Sequence, residues 1–257
     1  METTHASDDT RSLHLEIRHV GVAAPFAWLA AGWGDLRRNW GTSLGYGALI
    51  AALGWTVLVF CAINPYLIAA AITGFLLVGP PMSAGFCEMS RRYADHRPAT
   101  LDDSLEGFAH HASALLELGV ILAIGAVIWF LVSAVMLDEV FGVTTPSVAA
   151  TLYHGFIDEA NRRQILAYVA TGGILAVAVF ALTVVAVPLI VDRHATAPQA
   201  VRASLRVVAA NIPAMGVWSA LILLLTVIGY APLLVGLVLT LPLLGHASWH
   251  AYRDVIH

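Results

Sequence analysis

His246 and His250 lie four residues apart near the end of the chain. On a helix that spacing sets the two imidazoles about 40° apart around the axis, so both can point into one site. Two neutral imidazoles on one face are the beginning of a metal or haem site. Further donors would come from His110, His111, His194, Glu88 or Asp192, which all read to the same side of the apolar framework. No Cys-x-x-Cys or His-Glu-x-x-His motif accompanies them. The competing reading makes the pair interfacial histidines that hydrogen-bond loop carbonyls beside Trp249 and Tyr252.

Other chemical templates are missing. The chain has no glycine-rich phosphate loop, no Gly-x-Ser-x-Gly elbow and no carboxylate pair inside an apolar run, so no enzyme activity is expected. Nor does any apolar run carry an ionisable residue near its middle, where ion-coupled carriers keep an acid or histidine. His154, Asp158 and Glu159 read as the solvated face of an amphipathic helix.

The elements that must position these residues follow from composition. With 59% hydrophobic and 12% charged residues in 257, the chain is too apolar for a water-soluble domain, in which about a quarter of residues are charged. A helix needs about 20 apolar residues to cross a hydrocarbon core about 30 Å thick. Six runs qualify: 42–62, 65–87, 113–137, 163–191, 211–229 and 232–251. Strands with alternating polarity are lacking, so the expected fold is all-α, with six transmembrane helices in three hairpins.

Sidedness comes from arginine, since the chain contains no lysine. Eleven of its 13 arginines flank the first span or follow the second, fourth and sixth; Arg162 and Arg163 lie in a net-acidic loop on the other side. The positive-inside rule then places both termini in the cytoplasm. Residues 1–20 read as a solvated cytoplasmic tail without a cleavable targeting signal, and 21–257 as a single transmembrane domain. Cys61 and Cys87 fall at opposite membrane faces and cannot pair.

The domain divides into three similar units, about 24–98, 99–195 and 196–257. Each begins with an amphipathic stretch and continues into two apolar runs, the second with a proline near its polar end (Pro80-Pro81, Pro188, Pro242). In the first stretch, Phe26, Trp28, Leu29, Trp33, Leu36 and Trp40 alternate with Asp35, Arg37, Arg38 and Asn39; in the third, Val201, Leu205 and Val208 oppose Arg202 and Arg206. Such helices are expected to lie in the headgroup plane. The second stretch is acidic, with Asp102, Asp103 and Glu106, and is expected to pack on protein. Gly41 and Gly45, extended by Gly47 and Ala51, and Gly172-Gly173 mark seams where helices approach closely, within the chain or against another subunit.

Three stretches carry a family resemblance: Trp28-Leu29-Ala30-Ala31-Gly32-Trp33-Gly34-Asp35-Leu36-Arg37, Leu189-Ile190-Val191-Asp192-Arg193, and the closing run from Leu241 through Gly245-His246-Ala247-Ser248-Trp249-His250 to Arg253. Together they resemble the DUF2189 family of bacterial integral membrane proteins, over nearly the whole chain from about residue 20. The resemblance implies a six-helix inner-membrane fold and no activity. The layout alone is also similar to sulfate permeases of the CysZ type.

The expected role is therefore an accessory or assembly subunit of a larger membrane complex. Its expected partners are the lipid bilayer and another membrane protein or a second copy, with no nucleic acid and no required cofactor. One alternative is a small channel or permease lined by Asn64, Ser83, Ser133, Thr171, Thr183, Thr226 and Thr240. The other is a metal- or haem-handling protein that uses His246 and His250.

Overall fold

A computed structural model describes residues 15–61, 79–141, 159–230 and 234–257. The described residues are helical apart from short links and one isolated bridge. The first unit contains α1 (Ala24–Arg38), α2 (Trp40–Cys61) and α3 (Ala84–Ala94); the second contains α4 (Leu101–His110), α5 (Ala112–Phe141), α6 (Glu159–Thr183) and α7 (Ala186–Arg193). The third contains α8 (Ala197–Ala210), α9 (Ile212–Tyr230) and α10 (Leu237–Val255).

Helix starts follow local chemistry. Pro25 opens α1, where its missing N–H costs no helical bond. At α4, the Thr100 hydroxyl accepts from the Asp103 N–H while the Asp103 carboxylate accepts from the Thr100 N–H, a reciprocal cap. At α8, Gln199 reaches back to the Thr196 N–H at 3.1 Å.

Among the described residues, three stretches are long and apolar enough to cross a membrane: 112–133, 166–193 and 212–230. They coincide with the expected third, fourth and fifth spans. Helix α2, with 22 residues, covers the expected first span. The expected second span falls largely on residues 62–78, and His154 and Asp158 on 142–158, all outside the described residues. The fourth span is not one helix, because it breaks at Val184-Val185 between α6 and α7.

The units close on one another in a ring. Each short helix packs against the first and last helices of the preceding unit: α4 on α2 and α3, α8 on α5, α6 and α7, and α1 on α9 and α10. The terminal segments α3, α7 and α10 also touch one another, forming the centre. Its core includes Phe86, Cys87, Leu189, Ile190, Trp249 and Tyr252, all buried. Glycines allow these approaches: a Cβ on Gly32 would stand 2.6 Å from the Ala247 nitrogen, and one on Gly245 2.5 Å from the Phe86 ring.

Freed carbonyls at the proline-linked breaks find partners on neighbouring helices. The Ser204 hydroxyl donates to the Ala181 carbonyl (2.7 Å) at the α6–α7 break, and the Tyr46 hydroxyl to the Met82 carbonyl (3.1 Å) before α3. Pro242 has no N–H for the Val238 carbonyl, and a Cβ on Gly47 would stand 2.6 Å from that oxygen. The α2 backbone thus covers it, as the apolar surroundings require.

The expected tail is bounded differently. From Leu15 onward the chain is packed, not solvated: Ile17 bridges Ile256, the Arg18 N–H donates to the Val255 carbonyl (3.0 Å), and the Val20 N–H donates to Asn211 Oδ1 (2.9 Å). Leu15, Ile17 and Val20 supply apolar area at alternate or near-alternate positions, and Arg18 pairs with Asp254 at 3.1 Å. Residues 17–20 and the C-terminal end of α10 are thereby tied together.

A buried histidine–carboxylate chain as the candidate functional site

Helix α1 lays Trp28, Gly32, Asp35 and Leu36 against α10. The spacing i, i+4, i+7, i+8 puts an acid on the buried stripe. One turn of α10 presents His246 and His250 to it, α3 contributes Ser90, and α2 contributes Ser43.

The hydrogen-bond directions are fixed by what each atom can do. Asp35 Oδ2 accepts from the Ser90 hydroxyl at 2.7 Å and from His250 Nε2 at 2.8 Å. Ser90 has spent its proton on the carboxylate, so its oxygen accepts from His246 Nδ1 at 2.8 Å. His246 is then the Nδ1–H tautomer, and its Nε2 accepts from the Ser43 hydroxyl at 3.1 Å. Four groups thus form one directed chain, Ser43 to His246 to Ser90 to Asp35, with His250 as a second donor at its end. Ser43, Ser90 and His246 are all but inaccessible. Burial pushes the Asp35 carboxyl up, but the hydrogen bonds from His250 and Ser90 and the nearby imidazoles prevail and hold it below the usual carboxylate range.

A second buried acid lies between the first and second units. Glu88 receives Arg91 through both Nε and a terminal nitrogen (2.7 Å each) and Arg92 Nε at 2.9 Å; Arg92 continues to Asp103 on α4 at 2.8 Å. Burial again raises this carboxyl, and the two guanidiniums outweigh it and lower it. A Cβ on Gly107 would stand 2.6 Å from Glu88 Cγ, so α4 seats directly over the acid.

The structure brings some of the sequence-derived candidates together and separates others. His246 and His250 do share a site, yet both nitrogens of His246 are taken by serine hydroxyls instead of loop carbonyls. His110 Nδ1 faces the Glu106 carbonyl of its own helix (2.9 Å). His111 and His194 meet each other, and Asp192 accepts from the Tyr252 hydroxyl and lies near Arg193 and Arg253. Among the described residues, no three His, Cys, Asp or Glu side chains gather as metal ligands. Of the polar residues assigned to a channel lining, Ser83, Thr171 and Thr183 turn their hydroxyls onto carbonyls of their own segments, and Tyr168 donates to Ser133.

Asp35, Ser90 and Ser43 are the site members that sequence reasoning missed. Asp35 was placed on the polar face with Arg37 and Arg38. The available signal was its position on the Trp28–Gly32–Leu36 stripe, across the helix from Arg37.

Residues 67–192 match the model of the family DUF2189, described as a predicted integral membrane protein. No curated protein and no solved structure matches the chain. The matched stretch holds Glu88, Arg91, Arg92 and Asp192 and the second unit as far as Asp192, and does not reach the Trp28–Arg37 and Leu241–Arg253 motifs. Over this stretch the chain matches the DUF2189 family of predicted integral membrane proteins, in agreement with the resemblance carried by the motifs.

Proposed function

We propose that this chain spans the bacterial inner membrane six times, with both termini cytoplasmic, and serves as a non-enzymatic accessory or assembly subunit that holds a helix of another membrane protein. The observation that carries the docking role is an unfilled ridge on α2. Gly41, Gly45, Ala48, Ala52 and Thr56 follow one another at helical spacing, and all are exposed. A Cβ at Gly41 or Gly45 would meet nothing within 4 Å, whereas Gly47, on the other side of the same helix, is pressed against α10. Small-residue ridges of this kind let two helices approach closely in lipid, where association rests on packing and weak polar contacts. The seam noted in the sequence therefore splits into an internal half, Gly47 and Ala51, and an outward half.

The rotational order of the short helices supports the membrane placement. On α8 the buried face (Ala200, Ala203, Ser204, Val207) is followed around the axis by Val201, Leu205 and Val208 and then by Arg202 and Arg206. On α4, Ser104 and Gly107 are followed by Leu101, Leu105 and Phe108 and then by Asp102 and Glu106. Helix α1 repeats the order with Trp28 and Gly32, then Phe26 and Trp33, then Arg37 and Arg38. Successive sectors are roughly 110° apart, and the hand is the same in all three helices. Protein on one side, lipid below and water above would impose that order on helices running the same way around a ring.

The test is purification after mild solubilisation, with wild type beside Gly41→Leu/Gly45→Leu. A stoichiometric membrane partner present with wild type and lost from a variant of unchanged melting temperature is the expected result. Equal recovery with the variant overturns the docking role, and solute-specific flux through liposomes containing the chain alone would favour a permease.

A further inference from the structure

A second histidine pair lies away from the buried chain and has a geometry of its own. His111, at the junction of α4 and α5, has Nδ1 2.8 Å from the Gly107 carbonyl. A carbonyl only accepts, so Nδ1 carries the proton and Nε2 keeps its lone pair. Metal-bound histidines are held in the same way, with the far ring nitrogen donating to a carbonyl or carboxylate. The free Nε2 stands 3.1 Å from Nδ1 of His194, at the end of α7. The two ring centroids are 4.8 Å apart. A head-on N–H···N bond of that length would set the centroids roughly 5.4 Å apart, so the two nitrogens converge on a common side. A tetrahedral ion bound at about 2.0–2.1 Å to each nitrogen holds them about 3.3 Å from one another.

The surroundings favour a cation. His194 caps the C-terminus of α7 in the left-handed region (φ 51°), where the unpaired carbonyl ends of the helix are negative. The neighbouring Arg193 is turned toward Asp192 at 3.9 Å. His111 is buried and His194 is exposed, so one side of the pair opens to water. Glu88 and Asp192 are engaged with their own partners, which leaves water to complete the coordination.

We propose that His111 and His194 form a two-histidine, solvent-completed site for a divalent transition metal such as zinc, which pins the α4–α5 junction to the end of α7. The site is independent of the docking role. Calorimetric titration of zinc chloride into the full chain in detergent, near neutral pH, should show one ion bound per chain. His194→Ala and His111→Ala should each weaken it by at least about tenfold, the lower bound for losing even an outer-shell contact, while His250→Ala leaves it unchanged. Zinc should raise the melting temperature of wild type and not of His194→Ala; because His194 is exposed, that variant keeps the unliganded melting temperature. Equal zinc binding by wild type and His194→Ala, or no heat and no thermal shift at millimolar zinc, overturns the proposal.

Discussion

Two carboxylates are buried among the described residues, and they are satisfied in opposite ways. Glu88, joining the first and second units, is neutralised by two guanidiniums from its own helix, one of which passes the charge on to Asp103. Asp35, joining the first and third units, has a serine hydroxyl and an imidazole, and the chain behind them consists of a neutral histidine and another serine. The difference shows that helix contacts around the ring are not built from one kind of bond. Full charges sit where three of the four partners are within a few residues of one another. Where the partners are separated by up to 215 positions, hydroxyls and imidazoles carry the contact.

The contrast is broken most forcefully at Glu88. Glu88→Ala removes the shared counter-ion and leaves Arg91 and Arg92 facing a packed site, so unfolding in detergent should show a loss of about 3–5 kcal/mol. Asp35→Ala is expected to cost less, about 2–3 kcal/mol, because it leaves one serine hydroxyl and one imidazole without their acceptor instead of two guanidiniums. Ser90→Ala interrupts the chain at its middle and should cost about 1–2 kcal/mol; combined with Asp35→Ala it should add little, since both remove the same contact. Arg18→Ala, at a largely exposed pair, should change stability by no more than about 0.5 kcal/mol and should lose even that in high salt.

Acid sharpens the same comparison. Both carboxyls are held below their ordinary values in the fold, 3.8 for Asp35 and 4.5 for Glu88. The stability each contributes is therefore complete above its unfolded value and is lost as pH falls through the lower folded one. The part of the stability that these two carboxyls supply should stay constant from neutrality to about pH 5 and be lost below it. The loss below about pH 5 should be shallower in Asp35→Ala than in wild type, and an equal loss in both would show that Asp35 does not supply it.

Much of this architecture was legible because its causes are local. Apolar run length placed α2, α5, α9 and the α6–α7 span, and Pro80-Pro81 and Pro188 lie beside the turns before α3 and within the α6–α7 span, whereas α10 runs unbroken through Pro242. Glu88 with Arg91 and Arg92 could be read as an i, i+3, i+4 cluster. The four-residue spacing of His246 and His250 on α10 lets both reach the Ser90–Asp35 pair. Their partners were not visible, since Ser43 and Asp35 lie more than 200 residues away in sequence. The buried face of α8 was also not visible. Its small residues Ala200, Ala203 and Ser204 pack against protein, while Leu205, the apparent apolar anchor, remains exposed. Hydropathy ranks leucine above alanine, but a close helix approach needs the smaller side chain.

By itself, the sequence determined that this is an all-helical membrane protein with long apolar helices, because hydrophobic run length and charge placement are properties of neighbouring residues. Only the tertiary structure decided that each unit's short helix packs on the unit before it, that residues 15–20 clasp the C-terminal segment, and that Asp35 meets Ser90 and His250. It also decided that the histidines part into a serine-bound chain at His246 and a facing pair at His111 and His194. Those outcomes depend on which surfaces meet when the ring closes, and no residue's type or spacing carries that information.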